Sequence, residues 1–169
     1  MRHLDATIQV ERFHPSSFLL LPFSFSSYNH HVDLFVPLLG GNMTEHDPRY
    51  LEGIQLFNEC EYFEAHDVWE ELWQDYQGDS RKFYQGLIQV AVCLHHFGNG
   101  NIRGARKLYH SSRAYLEPYA PHHLDLNVDQ LIAGLQECCA EILASTEEFP
   151  KIDIDPEKIP EIHLATEAS

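Results

Sequence analysis

Two side chains in this sequence have the types and the spacing to share a ligand: His66 and Glu70, four residues apart in YFEAHDVWEELWQDY, residues 62–76. On a helix, residues four apart stand one above the other. With Tyr62 set at zero and about 100° per residue, His66 falls at about 40° and Glu70 at about 80°. Both lie within the apolar face expected from Tyr62, Phe63, Ala65, Trp69, Leu72, Trp73 and Tyr76. Glu64, Asp67, Glu71 and Asp75 cluster on the opposite, solvated side. An inward carboxylate must be protonated, paired or bound to a cation. Three kinds of chemistry fit: a hydrogen-bonded pair that locks helix packing, a divalent metal site completed by a neighbouring helix, or proton transfer with Glu70 tuning His66.

The segment 80–97 offers the missing partners. Gln85, Gln89 and His96 fall on one narrow polar stripe of an otherwise apolar helix. The stripe is either a solvent edge or a polar cleft faced by His66 and Glu70, with His96 a weaker candidate metal ligand. Gln85 and Gln89 would orient a ligand or substrate. His95 fits the stripe less well. His46, His110, His122, His123 and His163 lie in or beside turns, or in scattered positions, and read as surface residues.

The elements that must position these residues are helical. Asp47 is an N-cap with Pro48 at the first helical position, and Tyr50, Leu51, Ile54, Leu56 and Phe57 give a first helix of about three turns. A second spans about Tyr62 to Tyr76, and a third, apolar on most sides and therefore central, about Ser80 to Phe97. GNGN, residues 98–101, is a turn. A fourth helix runs to about Leu116, and a fifth, capped by Asn127, from about Val128 to Leu143. No segment alternates long enough to predict a strand. The expected fold is all-α, a compact antiparallel bundle of about five helices over 43–148. After it, the prolines at 150, 156 and 160 predict an extended, loosely held tail, 149–169. Residues 1–42 keep no period and read as disordered, or as an extension upstream of a true start at Met43; Pro22 interrupts their short apolar run and argues against a secretory signal.

The 169 residues carry 11 basic and 26 acidic side chains, a net charge of −15, which disfavours nucleic-acid binding. Residues 45–79 hold eleven acids and one base, and residues 80–116 hold six bases with no acid. Neighbouring antiparallel helices would place these stretches side by side, so the bases are expected to pair within the chain. No run is long enough to cross a bilayer. Cys60, Cys93, Cys138 and Cys139 show no Cys-x-x-Cys spacing and are expected to be reduced thiols of a cytoplasmic protein.

Around His66-x-x-x-Glu70-x-x-Trp73 the chain resembles a bacterial and archaeal family, domain of unknown function 309. The likeness covers roughly Tyr50 to Leu116: LFNECEYFEAHDVWEELW, RKFYQGLIQVAVCLHHFGNGN and RGARKL. Phe63, Glu64 and Ala65 match the approach to the motif; Gln85, Gly86, Gln89, His96, Asn101, Gly104 and Ala105 match later blocks. Cys60 stands where a glycine commonly ends the first helix, which puts that turn's geometry in question, and Asp67 replaces a frequent glutamate. The resemblance implies an all-helical domain whose motif has been suggested to bind metal, with no settled activity. It makes His66 and Glu70 candidate metal ligands, with Glu64, Trp73, Gln85, Gln89 and Asn101 as supporting residues. The ligand is expected to be a divalent ion or a small polar molecule. The rival expectation is a helical protein–protein interaction module in which His66 and Glu70 are a packing pair. The absence of a 34-residue repeat argues against a tetratricopeptide array. A hydrolase or lyase-like enzyme would use the same site, and no sequence feature selects its substrate or an oligomeric state.

Overall fold

Helix ends, more than helix middles, define the architecture. The computed structural model describes residues 46–147 and 150–165; the readings for residues 1–42 lie outside them. Among the described residues are five α-helices: α1 Pro48–Asn58, α2 Tyr62–Asp75, α3 Arg81–Gly98, α4 Ile102–Leu116 and α5 Val128–Ala144. Asp47 caps α1 by accepting from the Arg49 N–H at 2.9 Å. Asn101 caps α4 and Asn127 caps α5 in the same way, accepting from the N–H of Gly104 and Gln130.

The ends of α1 and α3 are built alike. Cys60 N–H donates to Phe57 O and Glu61 N–H to Leu56 O; Gly100 N–H donates to Phe97 O and Asn101 N–H to His96 O. This double closure needs a left-handed residue just past the helix. Gly100 supplies it at φ 72°, and Cys60 adopts it at φ 64°, so the turn keeps its glycine geometry without the glycine.

Consecutive helices pack on one another: α2 mainly on α1 and α3, and α4 mainly on α3 and α5. As its apolar periphery predicts, α3 is central, burying Phe83, Leu87, Val90, Ala91, Cys93, Leu94 and Phe97. Trp69 of α2 is fully buried and its indole N–H donates to Tyr50 O of α1 at 3.2 Å. Gly53 makes that approach feasible, because a Cβ there would run into the Trp69 indole ring. At Gly86 a Cβ would lie 2.7 Å from Leu116, so α3 and α4 also meet closely.

Three expectations are corrected. A two-residue antiparallel hairpin does form, β1 His122–His123 with β2 Leu126–Asn127, turned through Leu124 and Asp125 at positive φ. The tail is extended but not loose: the Asn58 side chain donates to Ile162 O and accepts from Ile162 N–H, both at 2.8 Å, and Pro150, Pro160 and Ile162 are buried. The acidic α2 lies beside the basic α3 but not principally beside α4, and Arg81, Arg106 and Arg113 find partners within the chain other than the acids of α2. Arg81 of α3 lies 3.8 Å over the Trp73 ring, Arg106 donates to the carbonyl of Ile142 in α5's last turn and to those of Ser145 and Glu147 beyond it, and Arg113 pairs with Glu117 in its own sequence neighbourhood. With α3 lying between them, α2 and α4 are not principal packing partners, and the basic side chains find nearer acceptors.

Candidate metal centre on helix α2

The carbonyl of Phe63, one turn back along α2, accepts a hydrogen bond from His66 Nδ1 at 3.2 Å. A carbonyl can only accept, so Nδ1 carries the ring proton and the Nε2 lone pair is left for another partner. Glu70 Oε2 stands 3.5 Å from Nε2. Asp67 Oδ1 stands 2.9 Å from Nδ1, on the other edge of the ring. His66, Asp67 and Glu70 each offer a ligand atom within 4.8 Å of the others, the arrangement of a candidate cation site among the described residues.

The pair at its heart is the one the spacing predicts, but its setting differs. His66 is 15% exposed and Glu70 34%, so the group occupies a half-open edge of α2 rather than the interior of the bundle. Asp67, assigned by the helical wheel to the solvated side, belongs to the group. The wheel places Cβ directions only, whereas Nδ1 lies near the root of the imidazole and is within reach of the next residue's carboxylate. Burial raises the Asp67 carboxyl above the ordinary range; the His66 ring opposes that rise, and Glu70, Glu64 and Glu71 add to it.

The supporting residues are spread over α2, α3 and the start of α4. Glu64 is exposed, and Trp73 is half-buried under Arg81. Gln85 and Gln89 are half-buried along α3, and Gln89 Oε1 is a buried acceptor without a hydrogen-bond partner, as Trp73 Nε1 is a buried donor without one. His96 is held at the α3–α4 turn. Asn101 Oδ1 is committed to capping α4, which turns its amide nitrogen toward His96 Nδ1 at 3.3 Å. Burial lowers the His96 pKa, with His95 contributing, and the ring serves as a neutral acceptor there. Its neighbour His95 is the residue that reaches α2, 5.6 Å from the Phe63 ring, itself 5.5 Å from His66. Adjacent helical residues differ by about 100°, and α3 has α2 on one side and α4 on the other; one step in sequence changes which neighbour is met.

Two histidines read as surface residues are not. His46 Nε2 is 2.8 Å from Asp125 Oδ2 with its side chain 12% exposed. The His123 ring packs between Phe83 and Tyr119, at centroid distances of 4.8 and 4.6 Å, and its Nε2 is 2.8 Å from Ser80 Oγ. Both placements depend on the hairpin folding back, which no local pattern announces.

Over 85 residues, 48% of its length, the chain is 34% identical to the uncharacterized protein YpuF of Bacillus subtilis (strain 168), covering 49% of that protein. Over 82 residues it is 26% identical to an uncharacterized protein of Aquifex aeolicus (strain VF5), covering 25% of it. The chain thus matches about half the length of the first relative and a quarter of the second. No described helix is long and apolar enough to cross a membrane. Residues 50–108, from the first turn of α1 to the middle of α4, match the family model described as domain of unknown function (DUF309), and over this segment the chain is similar to that family.

Proposed function

We propose that this domain binds a divalent cation at the edge of α2, with His66 Nε2 and Glu70 as ligands and Asp67 as the carboxylate that orients His66 from its other nitrogen. The observation that carries the reading is the 3.5 Å gap between Nε2 and Glu70 Oε2. It is long for a charge-assisted hydrogen bond, which runs at about 2.7–2.9 Å. Two lone-pair donors facing each other need a positive charge between them, and two ligand bonds of about 2.1 Å meeting at the tetrahedral angle separate their donor atoms by about 3.4 Å. A backbone acceptor on Nδ1 with a carboxylate nearby is the usual support for a metal-bound imidazole. The competing form of the site is a protonated imidazole clamped by two carboxylates. That form takes up no metal.

The test is metal analysis of untagged full-length protein after equilibration with Zn²⁺ and dialysis. Uptake is expected in the natural sequence and loss of it in both His66→Ala and Glu70→Gln, with helicity unchanged. Metal content in the natural protein no higher than in His66→Ala would overturn the proposal in favour of the clamp.

A further inference from the structure

We infer that the α2 edge is half of a metal site, and that a second copy of this chain supplies the other half, so the cation joins two chains about a twofold axis. The inference rests on the metal reading above. On the Nε2 side of His66 the described residues of one chain offer two donors, His66 and Glu70, while Asp67 stands at the other nitrogen. Zinc-like ions take four ligands of nitrogen, sulfur or carboxylate oxygen in closed protein sites. A twofold axis through the ion repeats the same pair, giving two imidazoles and two carboxylates, and such self-complementary contacts are the commonest form of protein dimer. The half-site is also open to a partner: Glu70 is 34% exposed, and Phe63, one turn before His66 with its ring 5.5 Å away, is a large hydrophobic side chain 51% exposed.

Charge makes this association conditional on the ion. Asp67, Glu64 and Glu71 surround the half-site, and bringing two such edges together without a cation opposes like charges. A divalent ion neutralises the two Glu70 carboxylates and anchors the contact. An ion held by one chain alone predicts one ion per chain.

The experiment is a titration of untagged full-length protein with Co²⁺, following visible absorption and molecular mass by light scattering together. Expected are saturation at one ion per two chains and a doubling of the 19.6 kDa mass. Both are expected to be lost in Glu70→Gln, and Phe63→Ser should weaken the metal-dependent doubling about tenfold, as removal of a central aromatic anchor does. Saturation at one ion per chain with the mass unchanged overturns the shared site and leaves the metal reading standing. A doubling that needs no metal also overturns it. No cobalt spectrum at any concentration overturns the metal reading itself.

Discussion

Two histidines of this molecule, His66 and His123, are both half-buried in the fold, yet their surroundings differ in kind. His123 is packed between two aromatic rings and hydrogen-bonded to Ser80, a residue 6% exposed, at the start of α3. Burial lowers its pKa, so its neutral form is the one the fold selects. His66 has one nitrogen on a backbone carbonyl, carboxylates beside both nitrogens, and an open edge. A histidine whose ring faces are covered contributes packing; one that stands among acids at an edge is available to a cation. The difference lies in what touches the rings, not in the residue.

The most severe perturbation of this comparison is to unseat α2 as a whole. Gly53→Ala drives a methyl into the Trp69 indole and should cost about 3 kcal/mol in urea unfolding. Any loss of metal uptake would then track unfolding. His123→Ala opens a cavity between Phe83 and Tyr119 and removes the partner of Ser80, and should cost about 2 kcal/mol while leaving metal uptake intact. A cost below the error of the measurement would erase the distinction between the two sites.

The third prediction concerns pH. The pKa values of His123 and His96 are both lowered by burial from the ordinary 6.5. The unfolded chain therefore takes up protons first, so these residues' share of stability is complete above pH 6.5 and is lost as pH falls through their folded values. Thermal melts should show that fall, and His123→Phe, which keeps the stacking, should make it shallower. The smallest stability effect belongs to His66→Ala: the ring lies beside Glu70 and the exposed Phe63 and not between core aromatics, and its loss should cost about 1 kcal/mol, although it removes the proposed metal ligand.

Much of the scaffold is written locally. Asp47, Asn101 and Asn127 cap three helices because their side chains answer donors two or three residues away. The turn at Gly98–Asn101 follows from Gly100, and the turn after α1 survives Cys60 because its carbonyl–amide closures hold the left-handed residue in place. The His66–Glu70 pairing was legible for the same reason, since an interval of four on a helix is a local distance. Asp67's membership of that group was not, because a helical wheel records directions of Cβ and not the reach of an imidazole.

By itself, then, the sequence determined which segments are helical, where they stop, and which two residues of α2 share a face. Those outcomes depend on interactions within about one helical turn. Only the tertiary structure decided that His95 rather than His96 meets α2, that His123 is enclosed by Phe83 and Tyr119, that the tail is tied to Asn58, and that Arg81 lies over Trp73 while Arg106 takes the carbonyls at the end of α5. Each of these depends on which helix lies beside which, and that is set by the packing of Trp69 against Gly53 and of Leu116 against Gly86, contacts between residues far apart in the chain.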